Sequence, residues 1–227
     1  MNKFVTAVTA LDSSTVQELI TQPKWATWSE PSGKNALHYL CGVSVKDSTE
    51  GATSFKILKM LVKGGLDINS IHRIEDKNCD VFPATPLWYA YTRGRNEKLY
   101  KYLLKQGANP DHCWWAIAWY DDVPAAKLWL KHGAVIDKKP SLDELFLGSF
   151  QWKKMAFAKW LLSQGADVNA RGPGRMTALM LAVKRKDEEA LKWLIDAGAD
   201  PDLEDANGMS ARKIAETKGP RRLLNLF

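Results

Sequence analysis

The chain has 227 residues, 45% hydrophobic and 26% charged, a balance that excludes a disordered or collagen-like polymer. Its 32 Lys and Arg against 26 Asp and Glu leave a net charge of +6, a mild excess that suits an acidic partner. Three cysteines, Cys41, Cys79 and Cys113, are too few for a disulfide framework and fit a reducing, cytoplasmic setting.

No stretch of 18 or more apolar residues occurs, so no membrane span is expected. Residues Met1 to Leu11 have the outline of a secretion leader, but the apolar run from Phe4 is short and holds two Thr. A helix with Phe4 and Ala7 on its inner face, followed by one burying Val16, Leu19 and Ile20, accounts for them better. Trp25 and Trp28 then close this first unit. Asn35-Ala36-Leu37-His38-Tyr39-Leu40 begins the next helix. Residues 41–54, rich in Gly, Ser and Thr, read as a lengthened turn before a second helix that ends at Gly64-Gly65. Residues 68–84 form a long loop whose Ile71-His72-Arg73-Ile74 and Asp80-Val81-Phe82 segments suit a hairpin.

Thr85-Pro86-Leu87-Trp88-Tyr89-Ala90 then opens another helix, with Thr as its cap and Pro at its first position. A second helix carries Leu103-Leu104 to Gly107. The following loop, 108–112, is nearly absent, and Trp115 and Ala118 take the inward places of the next helix. Leu145 and Gly148 take those places in the unit that ends at Gly165. Thr177-Ala178-Leu179-Met180-Leu181-Ala182 starts a regular unit, and Ser210 starts a half-formed last one whose final helix is Arg221 to Phe227.

Two phrases recur through this order. One is the helix opening seen at Asn35, Thr85 and Thr177. The other is Gln106-Gly107-Ala108-Asn109-Pro110-Asp111, Gln164-Gly165-Ala166-Asp167-Val168-Asn169 and Ala197-Gly198-Ala199-Asp200-Pro201-Asp202, with looser copies at Gly64 and His132. Thr177 to Gly198 is 21 residues and Gly198 to Ser210 is 12, which sums to 33. This pattern resembles the ankyrin repeat, in which a T-P-L-H-x-A opening, two helices and a G-A-D-V-N finger recur about every 33 residues. The resemblance covers nearly the whole chain. It implies an all-α fold: an ankyrin-repeat solenoid of stacked helix pairs with β-hairpin-like fingers, as one domain over residues 1–227. The approximate units are 1–32, 33–68, 69–109, 110–136, 137–168, 169–201 and 202–227. The small stack is also similar to bacterial and viral examples.

The same resemblance implies noncatalytic protein recognition through the concave face and fingers. Trp160, Trp193 and Tyr102 share one second-helix position and belong between stacked repeats, and Trp129 belongs to the core. Phe82, Trp88, Thr92, Arg93, Trp119, Tyr120, Phe150, Gln151, Met176, Lys184 and Arg185 lie at fingers and first-helix ends. They make up the expected footprint, in which aromatic rings beside positive charge suit one protein partner with an apolar spot and an acidic rim. The 41–54 and 68–84 segments are either working loops or drift in loop length.

Other chemistry is thinly supported. His38 and Cys41, His112 and Cys113, and His72 and Cys79 are neighbours in sequence, but no C-x2-C pair exists to hold zinc. Cys79 with His72 has no third group to orient a base. Gly172-Pro173-Gly174-Arg175 lacks the order of a phosphate loop and reads as a finger lengthened by one residue. Asp121-Asp122 and Glu188-Glu189 read as solvated turns and helix starts. No cofactor, metal or catalytic residue is expected. Residues 127–186 hold 12 basic and 4 acidic side chains. That block is the basis of the alternative, nucleic-acid binding, but its lysines are spread over more than one face. An enzyme site grafted on the stack is the other alternative. The free chain is expected to be monomeric, cytoplasmic or secreted as an effector, and to serve as an inhibitor of a toxin or enzyme, an effector or a scaffold.

Overall fold

The computed structural model describes residues 2–22, 24–76, 80–136, 140–218 and 221–227. Its elements run α1 (Lys3–Thr9), α2 (Ser13–Leu19), α3 (Ala36–Cys41), α4 (Ser48–Lys63), β1 (His72–Asp76), β2 (Asp80–Ala84), α5 (Pro86–Thr92), α6 (Glu97–Lys105), α7 (Trp114–Tyr120) and α8 (Val123–Lys131). They continue as α9 (Leu142–Gln151), α10 (Met155–Ser163), α11 (Ala178–Arg185), α12 (Glu188–Asp196) and α13 (Ala211–Lys218). Single 3-10 turns sit at Trp25–Thr27, Asp111–Cys113, Pro173–Arg175 and Arg221–Leu226. The elements form two compact units, Met1–Ala116 with Leu128–Ala134, and Ile117–Lys127 with Val135–Phe227.

In the first unit, α1, α3 and α5 pack in one row and α2, α4 and α6 in a second. Helices α1 to α6 each start where a side chain accepts a backbone N–H that the helix leaves unpaired. Asn2 caps α1 through the N–H of Phe4 at 2.9 Å, and Phe4, Val5, Ala7 and Val8 are buried. The Phe4 ring meets Trp25 edge-on at 5.6 Å, so Trp25 does close the first repeat. Thr85 caps α5 through Trp88 N–H at 3.2 Å, with Pro86 at the first position. Trp129 is fully buried against Tyr91 and Tyr100, with ring centres 5.1 and 5.4 Å away. Burying such a side chain contributes about 2–3 kcal/mol.

The cap of α3 is built around His38, which is also fully buried. Its Nδ1 accepts the Asn35 N–H at 3.2 Å, while Nε2 lies 3.1 and 3.2 Å from the carbonyls of Ser70 and Ala84. The ring therefore ties a helix start to both ends of the long finger. Burial is the main reason its proton is held at about 4, well under the ordinary 6.5. His72 donates to or accepts from the Tyr89 hydroxyl at 2.8 Å, and its own value is lowered, first by burial. The expected hairpin forms: β1 and β2 pair antiparallel from His72↔Ala84 to Asp76↔Asp80.

Two expectations about this unit need correction. Residues 41–54 are not a long turn, because α4 already begins at Ser48. Asp47 accepts the N–H groups of Thr49 and Glu50 at 2.8 and 2.9 Å, and Glu50 reaches back to the Lys46 N–H at 2.8 Å. These bonds at the helix start override the turn-like composition, and the helix runs for 16 residues. Trp115 is not inward: it is 39% exposed while Trp114 is 1% exposed. The 3-10 turn at Asp111–Cys113 winds straight into α7 and seats Trp114 inward, while Ala118 is fully buried as expected.

In the second unit, α9, α11 and α13 line up, and α10 and α12 pair with α9 and α11. Thr177, Asp187 and Ser210 cap α11, α12 and α13. At α9 the cap is Ser141, in a reciprocal pair with Glu144. Asp143 instead accepts the Asp167 N–H at 2.8 Å across to the next finger. Asn169 does the same for Asp200 at 2.8 Å, and in the first unit Asn69 does so for Asn109 at 2.7 Å. Phe146, Phe157 and Leu161 fill the core, with Trp160 nearly buried.

In every helix pair except α3–α4, the turn between the two helices follows one rule. A single residue there adopts the left-handed conformation: Leu11, Arg95, Asp121, Lys153 and Lys186, with φ between 50° and 59°. None is glycine, although glycine adopts that conformation at least cost.

Candidate protein-binding surface

In the first unit the structure brings together three of the expected residues. Phe82 on β2 and Trp88 on α5 meet with ring centres 5.2 Å apart, and the Arg93 guanidinium lies 5.7 Å from the Trp88 ring. Phe82 and Trp88 are half-buried and Arg93 is exposed. Thr92 is half-buried, and its hydroxyl donates to the Trp88 carbonyl at 2.7 Å. Ile71 and Val81, exposed beside the hairpin, add apolar surface.

In the second unit Trp119 is 54% exposed and Trp152 38%. Their rings meet edge to face at 5.5 Å, and Lys154 Nζ stands 5.3 Å over the Trp119 ring. Each tryptophan sits at or just beyond a first-helix end, where the ring has core on one side and solvent on the other. Tyr120 is half-buried next to Trp119. Sequence reasoning missed Trp152; its adjacency to Lys153-Lys154 at a helix end was the available signal.

Phe150 is misplaced in the expected footprint. It is 2% exposed, stacked on Trp193 at 6.2 Å and near Phe146 at 6.4 Å, so its ring belongs to the core. Arg185 is a staple: its Nη1 and Nη2 donate to the carbonyls of Phe150 and Gln151 at 3.1 and 2.8 Å. It thereby satisfies the open end of α9 with positive charge. Gln151 is exposed and lends its carbonyl to this staple. Met176 is half-buried, and its Sδ lies 2.9 Å from Lys184 Nζ. Beside them a cleft of about 350 Å³ is lined by Val183, Lys184, Lys186, Asp205, Asn207, Met209 and Ile214. The N–H groups of Met209 and Asn207 lower the Asp205 carboxyl from the ordinary carboxylate value.

Asp121 is not a merely solvated turn residue. Its carboxylate accepts the N–H groups of Phe157 and Ala156 at 2.6 and 3.3 Å, capping α10 from the preceding repeat. Lys154, at that helix's own cap position, makes no side-chain cap bond. Asp122 accepts the Ala125 N–H at 2.9 Å at the start of α8.

No group of three or more His, Cys, Asp or Glu is placed to hold a metal among the described residues. Cys41 and Cys113 are buried and unpaired, and burial pushes the Cys113 thiol up to about 12 and Cys41 further. The pairing of Cys79 with His72 lies outside the described residues. No helix among them is long and apolar enough to cross a membrane.

Models of ankyrin repeats match residues 146–225, as three copies, and residues 84–115. These two segments of the chain are ankyrin repeats. An ankyrin repeat-containing protein of Treponema pallidum (strain Nichols) is 51% identical over 59 residues. The match spans 26% of this chain and 20% of the relative. The crystal structure of the human ASB11 ankyrin repeat domain superposes with a TM-score of 0.70 at 21% identity, over 100% of this chain and 98% of that one. The ankyrin repeat domain of Bcl-3, described as a unique member of the IkappaB protein family, gives 0.71 at 18% identity, over 100% and 97%. At such identities the likeness is one of fold. Ankyrin repeats are protein–protein interaction modules, and the fold is in general a noncatalytic binding scaffold.

Proposed function

We propose that this protein is a noncatalytic module that docks one protein partner whose contact surface is apolar with an acidic rim. The observation that carries the reading is the partial exposure of large aromatic rings beside cations at first-helix ends, Trp88 with Arg93 and Trp119 with Lys154. Neither ring is needed to close a repeat, and half-exposed tryptophans are favoured anchors at protein interfaces. The residues offered to the partner are Phe82, Trp88, Thr92, Arg93, Trp119, Tyr120, Gln151, Met176 and Lys184. Arg185 contributes indirectly, by holding the end of α9. We place the protein in the cytoplasm as a monomer, in keeping with its buried unpaired thiols. Its biological role is then inhibition of a cognate toxin or enzyme, or action as a host-directed effector, and the genes beside its own discriminate the two.

The test is affinity recovery from the native host, comparing wild-type protein with Trp88→Ala and Trp119→Ala variants shown to be folded by circular dichroism. Loss of one specific protein with each variant supports the reading. Undiminished recovery with both sinks it.

A further inference from the structure

The helix–helix turns of the second unit place charged side chains at the left-handed position. Asp121, Lys153 and Lys186 occupy the same left-handed position in three successive repeats, with φ of 56°, 59° and 57°. A side chain there costs free energy that glycine avoids, so each needs compensation. Asp121 has it within the chain, through the two N–H groups of α10. Lys153 and Lys186 have no such side-chain bond: both are exposed, and their turns are closed by backbone bonds alone, Lys154 N–H to the Ser149 carbonyl at 2.8 Å and Asp187 N–H to the Ala182 carbonyl at 3.0 Å.

The surroundings say what these ammonium groups are placed to meet. Lys153 lies between Trp152 and Lys154, and Lys154 stands over Trp119, so two partly exposed indoles and two ammonium groups share one strip. Arg185 bridges the end of α11 to the end of α9, which makes the Lys186 turn the neighbour of this strip. The acids at the same turns are engaged: Asp121 with α10, Asp122 with Ala125 N–H, and Asp187 with Ala190 N–H at 3.0 Å. The cationic heads remain available while the carboxylates are spent on helix starts.

We infer that the strip formed by Trp119, Trp152, Lys153, Lys154 and Lys186 docks a peptide segment bearing several carboxylates around one bulky apolar side chain. The apolar side chain rests on the indole pair, and the carboxylates meet the lysines. A nucleic acid fits less well, because its phosphates repeat at every step and would fall on Asp121, Asp122 and Asp187 as well as on the lysines. A peptide can place its charges selectively. The inference rests on the protein-binding reading above and names the chemistry of the partner segment for this unit.

The probe is a short fluorescein-labelled peptide of aspartates and glutamates flanking one phenylalanine, followed by fluorescence anisotropy with the full chain. Its controls are the same peptide with Asn and Gln in place of the acids, and a single-stranded oligonucleotide of equal length. Binding to the acidic peptide should weaken as salt rises, and Trp152→Ala or Lys186→Glu should each weaken it about tenfold. Lys153→Gly and Lys186→Gly give the decisive readout: each should raise the melting temperature, by removing strain, and at the same time weaken the peptide. The idea is overturned if the acidic peptide binds no better than its amide counterpart, if the oligonucleotide binds more tightly, or if the glycine variants keep full affinity. Should those results coincide with a native partner still lost in Trp88→Ala protein, the protein-binding reading stands and this inference alone falls.

Discussion

His38 makes the first repeat interface sensitive to pH in a defined window. In the folded chain its Nδ1 must accept the Asn35 N–H and its Nε2 must face two carbonyls. The neutral ring with its proton on Nε2 meets both demands; Nδ1 also lies 2.8 Å from Asn35 Oδ1, and the buried site disfavours charge. The folded value is therefore about 4, through burial first, opposed by the Ala84 carbonyl and assisted by repulsion from His72 and Lys34. In the unfolded chain the ring titrates near 6.5. Between those values the unfolded state binds the extra proton, so stability is complete above about pH 6.5 and declines as pH falls toward 4. The gap corresponds to about 3 kcal/mol. His72, also lowered, acts in the same direction. Asp12, held at about 2 by Thr15 and Ser14, stays ionised throughout the window. The assay is urea denaturation followed by circular dichroism from about pH 7 to about pH 4.5, for wild-type and His38→Gln proteins. Wild type should lose stability steeply across the window, and the variant, less stable at neutral pH, should lose much less. Equal losses in the two proteins would refute the reasoning.

Two further changes test the packing. Asp121→Ala should destabilise by about 1–2 kcal/mol in urea, because it uncaps α10 and puts a Cβ-bearing residue with no local hydrogen bond at positive φ, whereas Asp121→Asn should retain most of the stability. The Ser149 hydroxyl is buried without a protein hydrogen-bond partner, so Ser149→Ala should stabilise by about 1 kcal/mol, read as a higher denaturation midpoint.

What could be read from the sequence follows from how local each signal is. Gly107, Gly165 and Gly198 end their helices at positive φ, and Thr85, Thr177 and Ser210 cap theirs. Each depends on a few adjacent residues, and a fixed spacing repeats it, so the stack was legible. The hairpin at residues 72–84 was legible because β-branched and aromatic residues stand on both arms. The long α4 was not, because Gly51, Thr49 and Ser48 look like turn residues unless Asp47 and Glu50 are seen to close a cap. The burial of Trp114 in place of Trp115 was hidden for a related reason: a 3-10 turn leading into a helix leaves no mark in composition. At the binding surface, aromatic type and repeat position located Trp88 and Trp119. They could not separate Phe150, which points into the core, from Trp152, which does not. The role of Arg185 depends on carbonyls 34 and 35 residues away, a contact that no spacing rule encodes.

The two described thiols, Cys41 and Cys113, lie in the same unit, one at the end of α3 and one at the entrance to α7. Both are fully buried, and both hold their protons far more firmly than a free cysteine. A thiol reagent attacks only the exposed thiolate. While the repeats stay closed, neither sulfur is available to it, and each becomes reactive only when its own neighbourhood opens. With Cys79 replaced by serine, the rate at which each thiol is consumed becomes a clock for local opening at its position. The protein thus carries two native reporters, one in its second repeat and one in its fourth, and their relative rates measure how far the opening of one repeat is independent of another.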